Sequence, residues 1–241
     1  MRRALANTVL VALLIAGFNC VGARSAGADM PSTAGKVPAP LPPPLVDEPA
    51  PSSDHSQRLV LAGGCFWGIQ GVFAHVRGVR EATSGYSGGS ASTAFYPMVS
   101  SGLTGHAESV AITYNPRQIS LGQLLQIFFS VALDPTEVDR QGPDHGTQYR
   151  SAIFSSDPVQ QKVAAQYIAQ LDASQVFAAP IATRIEPLRA FYPAESYHQN
   201  FLTLHPTHGY IVAFDLPKVA LLQQQFPQRY RADAVLSPTN R

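Results

Sequence analysis

The order in which strand-like and helix-like patterns alternate from residue 58 onward is the feature that most constrains the fold of this chain. The run RLVLA at 58–62 is typical of a short buried strand, and apolar residues then recur at helical spacing over 69–76. Further strands are predicted over 79–86, 107–114 and 149–154. A helix that Ser120 caps, with an apolar stripe over 121–129, precedes the last of these strands. The succession strand, helix, strand therefore occurs twice.

This succession predicts an α+β fold, namely a ferredoxin-like split βαβ two-layer sandwich in which helices cover one face of a mainly antiparallel sheet. Asp157, followed by Pro158, marks the start of a further helix. The C-terminal extensions are predicted to be a strand over 181–186, a short helix over 194–204 and an amphipathic helix over 217–226.

The N-terminal segment has the pattern of an export signal. Two arginines precede ten apolar residues at 9–18, and small residues follow as far as Ala28. Because a membrane span needs roughly twenty apolar residues, we expect residues 1–28 to be a cleaved signal peptide and the protein to be exported, either periplasmic or secreted. The alternative is a lipoprotein anchored through Cys20, but the residues before this cysteine fit a lipoprotein cleavage signal poorly.

Composition divides the rest of the chain. Residues 29–57 contain KVPAPLPPPLVDEPAPSS, which favours extended and solvated backbone, so we predict a Pro-rich disordered linker there. Residues 58–231 are long enough for one domain with a proper core, and residues 232–241 are predicted to be a tail. The formal charge of +1 offers no basic face for nucleic acid, so we expect no nucleic-acid partner.

The cysteine count gives the first functional clue. The chain has two cysteines, and Cys20 lies in the segment that signal cleavage removes. The remaining Cys65 is therefore buried and inert, paired with another chain, or chemically active.

The position of Cys65 favours chemistry. It follows two glycines that permit a tight turn, at the junction of the first strand and the first helix. Backbone N–H groups and the helix dipole at such a position favour thiolate over thiol. Phe66 and Trp67 follow, and since neighbouring side chains at a helix start cannot both face one interior, one or both are expected to line a pocket. A buried cysteine that acts as a small hydrophobic residue is the alternative.

A carboxylate on an apolar strand face is the second clue. Strand alternation in GHAESVAITY places Glu108 on the same face as Val110, Ile112 and Tyr114. Burial there would raise the pKa of Glu108 and produce an acid that can donate a proton near neutral pH. A solvent-exposed Glu108 just outside the strand is the alternative.

The polar loop RQGPDHGTQYR supplies hydrogen-bonding groups from Asp144, Gln148 and Tyr149 just before a strand. A thiol, an apolar aromatic lining, a protonated acid and tyrosine hydroxyls together suit attack on a neutral, polar, oxygen-bearing centre. A cysteine acyl hydrolase would require a histidine base, for which His106 and His145 are candidates.

Two other classes of protein stay open at this point. A metal site is the alternative suggested by the histidines at 198, 205 and 208, which no thiol or carboxylate cluster joins. A non-catalytic periplasmic binding module with an aromatic pocket is the other alternative.

Six blocks in chain order carry a resemblance to a known family: GGCFWG, GYSGG, TGHAESV, DRQGPDHGTQYRSAIF, FYPAESYHQNF and YIVAFDLPK. From about Leu59 to Tyr230 the chain resembles the peptide-methionine (S)-S-oxide reductases, the A-type methionine sulfoxide reductases. Such enzymes restore methionine from its sulfoxide. The resemblance implies that Cys65 is the nucleophile, which attacks the sulfoxide sulfur and becomes a sulfenic acid. It also implies that Glu108 is the acid that protonates the sulfoxide oxygen.

The resemblance assigns the remaining site residues. Tyr96 and Tyr149 resemble the hydrogen-bond partners of the sulfoxide oxygen. Phe66 and Trp67 resemble the wall that holds the methyl group of the substrate. Asp144 matches an acidic position that supports the site through a water or hydrogen-bond network.

The chain also departs from the family pattern. The commonest relatives carry an acidic residue where Gln70 stands, NPTY where TAFY leads to Tyr96, His where Leu133 stands and Asp where Ser196 stands. None of these changes removes a central role.

The given sequence has no resolving cysteine after Cys65, whereas many relatives have one near the C-terminus. We therefore expect an external thiol, such as a thioredoxin-like protein or a small thiol, to reduce the sulfenic acid. We expect no other cofactor and no metal, and we expect a monomer. The substrate is methionine sulfoxide, either free or in proteins, and the preference for the S epimer follows from the resemblance alone.

Overall fold

The computed structural model describes residues 38–49 and 55–238. The predicted signal peptide with Cys20, part of the predicted linker and the last three residues lie outside this range. None of the helices in the described residues is long and apolar enough to cross a membrane.

The described residues contain eight strands and six α-helices. The strands are β1 (Gln57–Ala62), β2 (Val79–Ser87), β3 (Ala107–Tyr114), β4 (Arg140–Gln141), β5 (Asp144–His145), β6 (Ala152–Phe154), β7 (Arg184–Glu186) and β8 (Phe191–Pro193). The helices are α1 (Phe66–Ala74), α2 (Tyr96–Val99), α3 (Leu121–Ile127), α4 (Pro158–Ala173), α5 (Phe201–Leu204) and α6 (Leu216–Gln225).

Six strands form one sheet in the order β7-β6-β1-β3-β2-β8, and all neighbours are antiparallel except β6 and β7. The four central strands, β6-β1-β3-β2, have the order of a split βαβ arrangement, with α1 joining β1 to β2 and α3 lying between β3 and β6. The predicted α+β fold with C-terminal extensions is confirmed. The extensions add β7 at one edge of the sheet and β8 at the other.

The main core lies between one face of the sheet and the helices. Alternate β3 residues Val110, Ile112 and Tyr114 join it, and α1 contributes Phe66, Ile69, Val72 and Phe73. The opposite face carries a small cluster that includes Ala111 and Phe154. Strand alternation thus divides β3 between the two faces as predicted.

Helix starts follow the predicted caps. Ser120 forms a capping box with Gln123 at the start of α3. Asp157 accepts a 2.8 Å hydrogen bond from the Val159 N–H at the start of α4.

The helix predicted over 194–204 does not form, and this prediction is wrong. A 3₁₀ turn (Ser196–His198) is followed by an extended Gln199 and by Asn200 in the left-handed region with φ 57°. The cause is tertiary: the Gln199 amide donates to Ser84 O at 2.8 Å and accepts from Ser84 N–H at 2.9 Å, pairing with the backbone of β2. Only the last turn of the predicted helix, α5, remains.

Residues 38–49, which fall within the predicted disordered linker, lie against the helices. The backbone carbonyl of Leu41 accepts from Gln126 at 2.6 Å, that of Pro42 from the Tyr167 hydroxyl at 2.8 Å, and that of Pro43 from Gln170 at 2.9 Å. An extended Pro-rich backbone leaves its carbonyls without internal partners, so side chains of α3 and α4 can bind them. We call residues 38–49 the N-terminal strap.

Asp47, near the end of the strap, lies at the start of α3. Its carboxylate accepts from the Gly122 N–H at 2.8 Å and from the Ser120 hydroxyl. The first four N–H groups of an α-helix have no partner within the helix, so this carboxylate acts as a second cap from outside.

We predict that Asp47→Ala lowers the free energy of unfolding by about 1–2 kcal/mol, because it removes an acceptor for a helix N–H and a hydroxyl. Urea denaturation measures this change. Asp233→Ala, at an exposed position of the tail, is the matched control and should change the unfolding free energy by less than about 0.5 kcal/mol. Equal stabilities for the two variants would contradict the assigned contact.

Candidate active site

Cys65 occupies the position just before α1, with Phe66 as the first helical residue. The turn into the helix needs Gly64, whose φ is +88° and where a Cβ atom would lie 2.5 Å from Cβ of Gln141. Cys65 is 9% exposed and has no disulfide partner within residues 38–49 and 55–238. The thiol therefore lies at the predicted junction, close to the positive end of the helix dipole.

The expectation that this position favours the thiolate is wrong for the resting structure. Burial raises the pKa of Cys65 well above its ordinary value, and the negative charges of Glu108 and Asp215 add to the effect. The backbone N–H of Trp67 lowers the pKa but does not compensate. The field of one helix end is weaker than desolvation together with nearby carboxylates, so Cys65 is a thiol at neutral pH.

Glu108 lies in the central strand β3 and is 3% exposed, so the buried alternative applies rather than the solvent-exposed one. Its Oε2 accepts a 3.0 Å hydrogen bond from the Phe66 backbone N–H. Burial raises the pKa of Glu108 to about 8, with a smaller contribution from Asp144, while the Phe66 N–H lowers it. Glu108 is therefore a neutral carboxylic acid at pH 7, hydrogen-bonded to the residue that follows the thiol in the chain.

Both predicted tyrosines lie close enough to Cys65 and Glu108 for those two groups to affect their pKa values. Burial raises the pKa of Tyr96 and of Tyr149, and Glu108 is the next contributor in each case. Both hydroxyls therefore keep their protons and can donate hydrogen bonds. Tyr96 begins α2, where its backbone N–H donates to Glu195 Oε1 at 2.8 Å.

Asp144 lies in β5, part of a two-stranded ribbon formed by the polar loop. It accepts a hydrogen bond from the hydroxyl of Tyr210. Its charge acts on Cys65, Glu108 and Tyr149. The structure thus brings together all five predicted polar residues, although four separate segments carry them.

The aromatic pair after Cys65 divides as expected. Phe66 is 1% exposed and belongs to the core, whereas Trp67 is half-buried and stacks on Phe201 with 3.8 Å between ring centroids. Both rings pack against His198, at 5.0 Å for Phe66 and 5.9 Å for Trp67. The Trp67 indole N–H donates to His198 Nδ1 at 3.2 Å, so that ring nitrogen carries no proton. These rings form an apolar wall beside the thiol.

Sequence reasoning did not assign His198, Tyr210 or Asp215 to the site. In the sequence, His198 belongs to a family block and to the alternative metal site, and Tyr210 and Asp215 belong only to a family block. Because Asp215 precedes Leu216 and Pro217, the sequence indicates only that it starts a helix and does not show that it lies near Cys65. Among the residues that the structure describes, no group of three or more His, Cys, Asp or Glu side chains is placed to hold a metal ion.

The family model of the peptide methionine sulfoxide reductases matches residues 57–230. The chain belongs to this family. A peptide methionine sulfoxide reductase MsrA 2 of Mesorhizobium japonicum is 57% identical to this reductase-family chain, and the match covers 75% of this chain and 93% of the relative. A relative of the same name from Synechocystis is 50% identical, with 80% and 92% covered.

Solved structures agree with the assignment to the peptide methionine sulfoxide reductases. Mxr1 from Saccharomyces cerevisiae in reduced form superposes with a TM-score of 0.57 at 34% identity, covering 63% of this chain and 87% of that one. Methionine sulfoxide reductase A of Corynebacterium diphtheriae gives a TM-score of 0.54 at 32% identity, covering 64% and 77%. The predicted family is confirmed.

The close packing of Gly68 against Asp215 can be tested by substitution. A Cβ atom on Gly68 would lie 2.2 Å from Asp215 Oδ1, whereas one on Gly209 meets nothing within 4 Å. We predict that Gly68→Ala destabilises the protein by about 1–3 kcal/mol through overpacking. The matched control Gly209→Ala should be neutral within about 0.5 kcal/mol. Denaturant midpoints measure both, and an innocuous Gly68→Ala would contradict the packing described.

Proposed function

We propose that this protein reduces methionine S-sulfoxide, free or in proteins, to methionine, and so repairs oxidised proteins. The observation that carries the proposal is the neutral, buried Glu108 acid, hydrogen-bonded to the residue next to the Cys65 thiol. Membership of the peptide methionine sulfoxide reductases supports it. The preference for the S epimer rests on the family resemblance.

In the first step the Cys65 sulfur attacks the sulfoxide sulfur. Glu108 gives its proton to the sulfoxide oxygen as negative charge develops there, and regains a proton from the thiol. Tyr96 and Tyr149 keep their protons and donate hydrogen bonds to the same oxygen. The oxygen then passes to Cys65, which leaves a sulfenic acid and releases methionine. The sulfoxide sulfur gains two electrons and the cysteine sulfur loses two.

The wall of Phe66 and Trp67 holds the methyl group of the substrate. Phe66 is fixed in the core, and Trp67 is fixed by stacking on Phe201 and by its hydrogen bond to His198. A rigid apolar surface on one side of the sulfoxide orients the sulfur toward Cys65.

In the second step an external thiol attacks the sulfenic acid, water leaves, and a second thiol resolves the mixed disulfide. The presence in the given sequence of only one other cysteine, Cys20 in the predicted signal peptide, supports this proposal. A thioredoxin-like protein or a small thiol supplies the two electrons. We further propose that the protein is exported, periplasmic or secreted, on the basis of the N-terminal pattern, and that it acts as a monomer.

The other functions considered are not favoured. A hydrolase needs a histidine base, but His106 is bound on both ring nitrogens, by the Gly89 N–H at 3.2 Å and by Ser90 O at 2.9 Å. His145 is exposed. A binding module that performs no chemistry does not need an acid with a raised pKa, such as Glu108, close to a thiol.

We predict that the reductase rate falls as pH rises through about 8, because ionised Glu108 cannot donate a proton. Glu108→Gln should lower kcat by about 10²- to 10⁴-fold, since the amide keeps the hydrogen-bonding shape but is not an acid. It should also abolish this limb of the pH profile. Steady-state kinetics across a pH series test both expectations. If Glu108→Gln keeps the wild-type fall in rate at alkaline pH, a group other than Glu108 causes that fall.

We predict that the protein reduces the S epimer of methionine sulfoxide, and not the R epimer, with dithiothreitol as the reductant. Cys65→Ser should have no activity because serine cannot be oxidised to the equivalent of a sulfenic acid. Chromatography of the methionine formed measures this outcome, and turnover by Cys65→Ser would refute the proposed chemistry.

Intact-mass analysis after one turnover without reductant provides a second readout. The protein should gain one oxygen, and treatment with dimedone should label Cys65. Loss of two hydrogens would instead reveal an intramolecular disulfide with Cys20 and would contradict the use of an external thiol.

A further inference from the structure

Asp215 is a buried carboxylate for which the proposed reaction has no step. It ends a π-helical turn (Ile211–Asp215) immediately before α6 and is 0% exposed. Its Oδ1 lies 3.3 Å from Lys218 Nζ, and its Oδ2 has no hydrogen-bond partner among the described residues. A buried carboxylate with an unpartnered oxygen is unfavourable, so its position calls for an explanation.

The explanation lies in what Asp215 faces. Gly68 is the third residue of α1, and its lack of a side chain lets the carboxylate approach the first turn of the helix, where a Cβ would lie 2.2 Å from Oδ1. The N–H groups at the start of this turn, of which that of Phe66 is bound to Glu108, and the helix dipole make it the positive end of α1. Cys65 begins the same helix. Two potential anions, Asp215 and a Cys65 thiolate, therefore share one positive helix end.

We propose that Asp215 is a positioning residue whose carboxylate occupies the positive end of α1 in competition with a Cys65 thiolate, and so keeps the thiol protonated in the resting enzyme. Burial raises the pKa of Asp215, and Lys218 opposes this shift and holds the carboxylate in place. The effect of Asp215 on turnover rests on the proposed function, but its effect on the protonation of Cys65 does not.

Other groups face the same thiol. The charged or titratable side chains around Cys65 are Glu108 on β3, Asp144 on β5, Tyr210 in the segment before α6, and Tyr96 and Tyr149. Glu108 is neutral at pH 7, and Asp144 is bound by Tyr210. Asp215 differs from both because it lies against Gly68 of α1 and has a cationic partner. Its charge raises the pKa of Glu108 as well as that of Cys65.

A protonated resting thiol has a chemical advantage. The thiolate is the form that oxidants attack, and low-pKa cysteines proceed further along the oxidation ladder to irreversible acids. If Cys65 stays protonated until Glu108 donates its own proton to the substrate, the thiol undergoes fewer such side reactions.

The test measures alkylation of Cys65 by iodoacetamide across a pH series in the wild-type full chain and in Asp215→Asn and Lys218→Met. Trypsin places Cys65 in the peptide 59–77 and Cys20 in the peptide 4–24, so mass spectrometry reports the two thiols separately. Asp215→Asn preserves the shape of the side chain and removes the charge. Lys218→Met removes the partner and keeps the carboxylate.

We expect Asp215→Asn to lower the pH midpoint of Cys65 alkylation by about one unit, which is the usual effect of one nearby charge. At a fixed pH below the midpoint, the thiolate fraction should rise about tenfold. The rate should rise roughly threefold, because nucleophilicity falls with the thiol pKa. Lys218→Met should leave the midpoint unchanged or raise it.

Two outcomes overturn the proposal. One is an unchanged midpoint in Asp215→Asn. The other is a lowered midpoint in both variants, which is what a loosened structure that exposes the thiol would give. Sulfoxide reduction is assayed separately. If the midpoint shifts as expected but the protein has no reductase activity, only the proposed function is contradicted. If the protein is active but the midpoint does not shift, only the role of Asp215 is contradicted.

Discussion

The hydrogen bond from the Phe66 backbone N–H to the Glu108 carboxyl is the interaction on which the site depends. At 3.0 Å it joins the first residue of α1 to the central strand β3. Strand β3 is fixed on both sides by β1 and β2, and α1 follows β1 directly, so the rigid centre of the fold sets the position of the acid and the helix start. The thiol precedes Phe66 in the chain, so one backbone donor places it beside a carboxyl group that strand alternation has already buried.

The electrostatics around this bond favour protonated groups. A helix end supplies only about half of an elementary charge, whereas burial and the acids Asp144 and Asp215 act in the opposite direction. The pKa of Glu108 near 8 and the high pKa of Cys65 are two results of the same imbalance. The proposed reaction suits such a site, because the sulfoxide oxygen finally leaves as water and carries two protons with it. The site therefore needs protonated groups next to the sulfoxide oxygen.

The sequence predicted the local features of the fold and the site well, because they depend on neighbours along the chain. The capping residues Ser120 and Asp157 lie where expected, and β3 spans the predicted residues 107–114. The protonation of Cys65 was predicted wrongly, since the helix dipole is visible in sequence while the position of Asp215, 150 residues away in the chain, is not. The broken helix at 194–204 fails for the same reason, as Gln199 binds a strand that precedes it by more than a hundred residues.

The departure at Gln70 shows how this chain stabilises the segment behind Trp67. Gln70 Nε2 donates to Ala82 O at 2.7 Å, and its Oε1 accepts from the Asn200 N–H at 2.8 Å. An ionised acid, which the commonest relatives carry there, could accept the second bond but could not donate the first. Asn200 in turn exchanges two 3.0 Å hydrogen bonds with Ser237, in the tail beyond the family-matched residues 57–230. The amide at position 70 and the docked tail therefore belong to one network, which fixes the left-handed turn that follows His198.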